Sequence, residues 1–281
     1  MKIRKKNRFP AIFSIAVLSL VILMTFFPAL FTSYDPLGIN LDHALEAPSM
    51  AHLLGTDEYG RDIFCRIVYG ARNTIYVGFA AAALATLVGV PLGLSAGYFG
   101  GILDLILMRI MDAFLSFPPI LLAILTITIL TRLQGSTSSV GAHSLVLSIA
   151  LVNFPRFSRI VRGSVLSLRE REFVEANRSA GAGSAYIMFR TILPNCVSAI
   201  TVQFTLLAAT SILIEAGMSF IGLGLQPPEP AWGSMLFSSL LYMNQAIWYV
   251  LSPTATIFIV VLAINFLGDV LRDWFDPRKQ A

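Results

Sequence analysis

Chemistry in this chain would have to come from His43, His52 and His143, from Cys65 and Cys196, or from a few acids set among long apolar runs. A nucleophile, base and acid set needs a His beside a Ser or Cys. All three histidines instead read as loop residues in segments assigned to one side of a membrane. No His-x-x-x-His pair or cysteine cluster suggests a catalytic metal. No Gly-x-x-x-x-Gly-Lys-Ser/Thr loop offers a cradle for ATP phosphates. The expectation is a chain that catalyses nothing itself and binds no cofactor. Cys65 and Cys196 fall on opposite faces of the expected topology and read as packing residues.

The remaining reactive candidates are charges inside greasy segments, where an ion is costly and either faces a bundle interior or snorkels. Asp104, Arg109 and Asp112 cluster at the start of one apolar run. Asp112 lies three residues after Arg109, which suggests a local pair, with a place on a pathway as the alternative. Glu215 is a lone acid in another run. Ala216, Gly217 and Ser219 beside it permit close helix contact, and the favoured reading is an inter-subunit or gate-stabilising contact. Asn153, Asn244 and Asn265 read as interhelical hydrogen-bond partners.

What positions these groups is a membrane-embedded framework. Of 281 residues, 56% are hydrophobic and 13% charged, and the mean hydropathy is +0.75. A soluble domain of this length carries more charge. Six runs approach the roughly 20 residues needed to cross a bilayer: approximately 11–31, 75–98, 102–130, 145–160, 197–220 and 247–270. The fourth is interrupted by Asn153, Pro155 and Arg156. The basic start is followed by a run too long for a signal peptide, which predicts an anchoring first helix.

Basic residues gather in three regions: Lys2, Arg4, Lys5, Lys6 and Arg8; Arg156, Arg159, Arg162, Arg169, Arg171, Arg178 and Arg190; and Arg272, Arg278 and Lys279. Six spans put these regions on one side, which the positive-inside rule makes cytoplasmic. The other side holds Arg61, Arg66, Arg72 and Arg132, the first three offset by Asp35, Asp42, Glu46, Asp57, Glu58 and Asp62. The net charge of +4 is thus divided among tails and loops, not gathered into a nucleic-acid patch.

Between the fourth and fifth runs lies "EFVEANRSAGAGSAYIMFRTILPN" (172–195). Phe173, Ala176 and Ala180 share a helical face. Glu175 reaches Arg171 or Arg178 at helical spacing. Gly181 and Gly183 break the helix, Ser184 suits an N-cap, and Tyr186, Phe189 and Leu193 repeat a one-sided pattern. Pro194 is expected to re-aim the chain into the fifth run. Helices this short need a surface to bury their apolar side. Lipid headgroups and a docked partner are both open readings.

The pattern Glu175-Ala176, then Gly181, then Ile192-Leu193-Pro194 resembles the EAA signature of permease subunits of bacterial ABC importers, with Asn177 where a second Ala usually stands. "HLLGTDEYGRDIFCRIVYGAR" (52–72), "GYFGG" (97–101), "EAGMSFIGLGLQPPEPAWG" (215–233) and "LGDVLRDWFDPR" (267–278) are similar to the second permease subunit of dipeptide, oligopeptide and nickel importers. The resemblance implies an all-α, polytopic fold of six transmembrane helices, with the type I (MetI-like) importer permease core at 74–281. Residues 1–73 would supply the tail, first helix and external loop.

It further implies a coupling loop at about 162–196, with Glu172, Glu175, Ala176, Arg178, Gly181, Ile192, Leu193 and Pro194 facing an ATPase. Glu215, Asp112 and Arg109 are the pathway or gate candidates. The implied partners are a second permease subunit, two ATPase subunits that hold ATP and Mg, an extracytoplasmic substrate-binding protein and membrane lipid, all at the bacterial inner membrane. The Pro-rich run 225–233 and the charged first external loop are candidate contacts for the binding protein. Peptides are the first cargo suggested. Nickel or metal chelates, glutathione and opine-like molecules are alternatives. A secondary transporter would show several buried acids and internal symmetry. A non-transport scaffold leaves the 172–195 insert without a role.

Overall fold

The structure is a computed structural model that describes residues 8–133, 141–226 and 228–275. Lys2, Arg4, Lys5, Lys6, Pro227, Arg278 and Lys279 lie outside the described residues. Ten α-helices follow one another: α1 (Arg8–Phe26), α2 (Ile63–Phe99), α3 (Gly101–Leu115), α4 (Pro119–Leu133), α5 (Ala142–Arg169), α6 (Glu172–Ser179), α7 (Ser184–Tyr186), α8 (Leu193–Phe220), α9 (Trp232–Ser239) and α10 (Ile247–Phe275). Among the described residues the extended pairing is a single bridge, Thr56 to Asp62. Among the described residues, five helices are long and apolar enough to cross a membrane, or six when α3 and α4 count as one bent span.

That bend corrects the third apolar run. Residues 102–130 do not form one rod: α3 and α4 meet at 92°. Pro118 and Pro119 are the cause. The residue before a proline is driven out of the helical region, and proline itself gives no hydrogen bond. Ser116 closes α3, its N–H donating to Asp112 O at 2.9 Å, and Pro119 opens α4.

The second run also starts earlier than apolarity suggests, at Ile63 instead of residue 75. Asp62 caps it, accepting from the Cys65 N–H at 2.6 Å. The division at residue 73 therefore falls inside a continuous helix. At 37 residues and 1.5 Å per residue, α2 is about 55 Å long, so it extends past the roughly 30 Å hydrocarbon layer. The fourth run lengthens too, to 28 residues. Pro155 sits inside α5 without ending it, and Asn153 bonds within the helix, its Nδ2 donating to Ile149 O at 3.0 Å, not to a neighbouring helix.

α2 and α5 pack parallel to one another at the centre. Their contact depends on Gly89, Gly93 and Gly97, one per turn of α2. A Cβ on Gly93 would stand 2.4 Å from Ser158 O, and one on Gly97 would stand 2.8 Å from Val165 Cβ. Small residues at this spacing let helix backbones approach where lipid gives no hydrophobic drive. Phe157, Val161 and Val165 of α5 are buried against this seam, together with Leu94 and Ala85 of α2. α1 lies outside against α10, with Phe13 edge-on to Phe266 at 5.8 Å. Its other side leaves Phe9, Ile12, Ile15 and Phe26 more than half exposed, as suits a lipid-facing helix.

α2 defines two ends of the bundle. At its first turns sits the 45–62 segment. At its last turns Arg169 of α5 reaches Gly97 O and Tyr98 O at 3.3 and 3.4 Å. α6 follows directly, so the 172–195 insert and the 45–62 segment occupy opposite ends. Cys65 and Cys196 are both buried and free.

Candidate functional site

α6 ends in a Schellman motif. The Gly181 N–H donates to Arg178 O, and the Ala182 N–H to Asn177 O, both at 3.0 Å. This closure needs a left-handed residue just past the helix, and Gly181 supplies it at φ +80°. Gly183 has an ordinary φ of −70° and stands at the N-cap itself, one place before the expected Ser184.

The chain does not turn at Pro194. Residues 184–220 form one helix of 37 residues, with a π-helical stretch at Ile187–Ile192. The wider register just ahead of Pro194 accommodates a residue with no N–H to give. The second short helix of the insert is therefore an extension of α8, fused to it without a joint.

Burial in the insert adds a second, inward row to the one read from the sequence. The inward side is Val174, Ile187, Met188 and Ile192, all buried in the main core with Val165. The rows read as an apolar side in need of a surface face away from the bundle: Phe173 is 40% exposed, Tyr186 55% and Phe189 56%, and Ala176 and Ala180 are exposed. Leu193 is half-buried. The two rows are offset by about one residue, and a short amphipathic stretch does not say which apolar row wins. α6 is thus held by one fully buried side chain, Val174, and presents an apolar, aromatic face with acids beside it. Glu172, Glu175 and Arg178 are exposed, and Arg178 Nη1 meets Glu175 Oε2 at 2.8 Å. A pair this exposed adds little stability.

Just inside this end, two ion pairs tie α3 to α5. Arg162 binds Asp104 through Nε–Oδ1 at 2.5 Å and Nη2–Oδ2 at 2.6 Å. Arg159 pairs with Asp112. The local Arg109–Asp112 pair is therefore not formed. Their spacing of three does place them on neighbouring faces, but α5 presents a competing arginine. Arg109 is exposed and makes no ion pair among the described residues.

Glu215 is fully buried within this one chain, so it offers no surface for an inter-subunit contact. Its Oε1 accepts from Ser219 Oγ at 2.8 Å, and Oε2 has no hydrogen-bond partner among the described residues. Here α8 meets the 222–233 segment at very short range. A Cβ on Gly233 would stand 2.8 Å from Ala216 Cα, and one on Gly224 1.7 Å from Ser219 Oγ. Ala216 and Ser219 thus make the close contact expected of them. Gly217 does not, with nothing within 4 Å of a Cβ there.

At the far end the charged groups close into a clasp beneath an exposed outer face. Arg61 binds Asp57 at 2.7 Å, Arg66 donates to Pro36 O at 2.8 Å, and His52 Nδ1 lies 2.9 Å from Asp62. Asp57, Arg61, Asp62 and Arg66 are all buried. Trp232, in the Pro-rich run named as a candidate contact, is fully buried and donates through Nε1 to Ile67 O at 2.9 Å. Asn73 fastens the same segment, donating to Pro230 O at 2.9 Å.

Sequence reading missed three features. The Asp104–Arg162 and Asp112–Arg159 partners lie far apart in sequence, so spacing could not pair them. The Gly89/Gly93/Gly97 seam was readable as a four-residue glycine period. The arginines that looked like surface charge at 159, 162 and 169 are instead committed to α2 and α3.

Residues 89–281 match the family of binding-protein-dependent transport system inner membrane components. The chain is 44% identical to the dipeptide transport system permease protein DppC of Alkalihalophilus pseudofirmus, over 99% of this chain and 88% of that one. It is 42% identical to the glutathione transport system permease protein GsiD of Pectobacterium atrosepticum, over 93% and 85%. Against the di/tripeptide transport system permease protein DppC of Pseudomonas aeruginosa it is 39% identical, over 92% and 86%. Its fold is similar to a chain of the inward-facing MetNI methionine ABC transporter, with a TM-score of 0.65 at 20% identity, covering 76% of this chain and 98% of that one. A multi-pass helical bundle with a type I permease core, carrying an insert with a left-handed Gly181 corner, is thus accounted for: the chain belongs to the family of binding-protein-dependent transport system inner membrane components.

Proposed function

We propose that this chain is one permease of a heterodimer that imports short peptides, driven by two ATPase subunits that hold ATP and Mg and fed by an extracytoplasmic binding protein. The observation that carries the reading is the joint-free helix 184–220. It connects the outward-facing insert to Glu215 and to the segment clasped at the other end. An ATPase gripping Phe173, Ala176, Tyr186 and Phe189 would displace α8 as a rod. Such a grip shifts an inward–outward equilibrium only if it differs between the two states. Glu172, Glu175 and Arg178 would orient the grip, and Gly181 would set the angle between α6 and α8. Ile192, Leu193 and Pro194 would act from beneath, by seating the rod. Arg109 and Asp112 lie on α3, which packs on α2 and α5, and Glu215 lies along the lever. We place all three in gating, not in cargo contact.

The named cargo of the relatives, dipeptides and di/tripeptides, supports peptides. The similarity to a glutathione permease favours one second reading, glutathione, itself a small peptide. The reading puts both termini and the insert in the cytoplasm, which the positive-inside rule supports through their basic residues. The test is purification of the tagged chain from its native membrane, followed by ATPase assay. Co-elution of an ATPase whose activity rises with a peptide-loaded binding protein supports the proposal. A chain that elutes without nucleotide-hydrolysing partners, yet still transports on an ion gradient, refutes it.

A further inference from the structure

A cavity of about 1120 Å³ opens at the end of the bundle opposite α6, between the last turns of α1, residues 33–37, α2 and the 229–230 segment. Ligand sites run to about 1,000 Å³, so a short peptide fits. One stripe of α2 lines it: Tyr69, Arg72, Asn73, Tyr76 and Phe79. These fall at i, i+3, i+4, i+7 and i+10, a single helical face. Within the stripe Asn73 bonds Pro230 O and Phe79 packs on Phe204, which leaves Tyr69, Arg72 and Tyr76 as its polar groups lining the cavity.

The charges in the cavity are the telling part. Arg61 and Arg66, on the preceding turns, are buried and bonded to Asp57 and Pro36. Arg72 is exposed and has no hydrogen bond or ion pair among the described residues. Two carboxylates, Asp35 and Glu229, line the same cavity from two other segments and likewise form no ion pair among the described residues. Arg72 is nine residues, about 14 Å, along α2 from Ile63. Ionisable side chains on a spanning helix pair with one another or line a wet cavity on a solute route. Here a cation and two anions share a cavity without pairing.

We propose that this cavity is a binding site for a small zwitterion on its way through the permease. Arg72 takes the carboxylate by charge-assisted hydrogen bonds, Asp35 and Glu229 face the ammonium group, and Tyr69 and Tyr76 pack the body between them. The inference rests on the importer reading above and adds to it a named contact for the cargo.

The experiment uses the whole complex, with its binding protein, in vesicles. The probe is a mixture of free dipeptides and tripeptides, with uptake read by mass spectrometry and ATP hydrolysis in parallel. Loss of one charge-assisted contact corresponds to about a tenfold loss of affinity or more. Arg72→Gln is expected to lower uptake about tenfold and raise the KM for the loaded binding protein less than twofold. ATPase stimulation by the loaded binding protein stays near wild type. Arg72→Lys recovers most of the uptake, and Glu229→Gln lowers it without touching ATPase stimulation. A merely structural role would move uptake and ATPase stimulation together, and that result overturns the proposal. So does wild-type uptake by Arg72→Gln. A defect that vanishes in vesicles lacking anionic lipid assigns Arg72 to lipid phosphate, and loss of the second permease from the variant assigns it to an interface. Either outcome overturns the proposal. A wild-type complex with no stimulated ATPase, or one that imports none of the mixture, instead defeats the importer or peptide reading on which it stands.

Discussion

Arg162 and Asp104, 58 residues apart in sequence, meet through two parallel hydrogen bonds of 2.5 and 2.6 Å. The geometry is a fork on a carboxylate, which lysine cannot reproduce. It fixes the first turn of α3 to α5 about two turns before the insert, and Arg159 repeats the link to Asp112 one α5 turn earlier. The broken span α3–α4 therefore follows α5 at this end of the bundle and bends at Pro118–Pro119 beyond the second link.

Breaking that fork should loosen the α3–α5 contact without unfolding the chain. Arg162 and Asp104 are 31% and 17% exposed, so the pair lies between the exposed and buried cases. Its coupling energy is expected at roughly 1–2 kcal/mol. Asp104→Asn and Arg162→Lys should each lower the melting temperature of the detergent-purified complex. Neither should add much to the other in a double-mutant cycle, because one contact is being removed twice. Fully additive losses would show that the two residues act separately.

The glycine seam separates two substitutions that look alike in sequence. Gly93→Ala puts a methyl group 2.4 Å from Ser158 O, a backbone atom that cannot swing away. The α2–α5 pair must spread, at about 1–3 kcal/mol. Gly217→Ala has nothing within 4 Å and replaces a poor helix former with the best, a gain of up to about 1 kcal/mol in a helix. Membrane levels and thermal stability should fall for the first and hold or rise for the second. Equal behaviour would contradict the packing described.

Gly181 tests the angle of the insert apart from its surface. No side-chain neighbour lies within 4 Å of a Cβ there, so any substitution acts through φ alone. At φ +80° an L-residue costs roughly 1–2 kcal/mol, and Asn less. Gly181→Val should leave the chain in the membrane but abolish stimulation of ATP hydrolysis by the loaded binding protein. Gly181→Asn should retain most of it. Glu175→Lys should also uncouple, by surface charge and not by backbone. Normal uptake in both Gly181→Val and Glu175→Lys would remove the insert from the coupling mechanism.

These contrasts also show what sequence could and could not reveal. The membrane bundle, its central spans and the insert were legible because apolar run length and the EAA-like residues are local signals. The start of α2 was not, since Arg66 and Arg72 interrupt its hydropathy while Asp62 still caps the helix. The bend at Pro118 was masked by the apolar residues on either side. The apolar row of Phe173, Tyr186 and Phe189 was legible, but the inward row of Val174, Ile187, Met188 and Ile192 was not, because tertiary packing selects it. Glu215 was visible as a lone acid, but its burial against Ser219, Gly224 and Gly233 depends on a chain reversal that periodicity does not encode. The unpaired state of Arg72 emerges only after Arg61 and Arg66 have found their partners.

Sidedness can be read with one cysteine at each end. The native Cys65 and Cys196 are 0% and 1% exposed, so an impermeant maleimide finds little background. Ala176 is exposed on α6, and Met50 is 98% exposed at the other end, with most of the length of α2 between them. In intact spheroplasts Met50→Cys should label and Ala176→Cys should not. In inside-out vesicles the pattern should invert. Ala176→Cys should further be shielded when the ATPase subunits are bound and label freely once they are stripped away, because α6 has a single buried anchor, Val174, and its remaining face is free to be covered. Labelling of Ala176→Cys from outside would invert the bundle and separate the insert from any cytoplasmic motor. Labelling from inside, unaffected by the ATPase, would keep the topology but move the docking surface elsewhere.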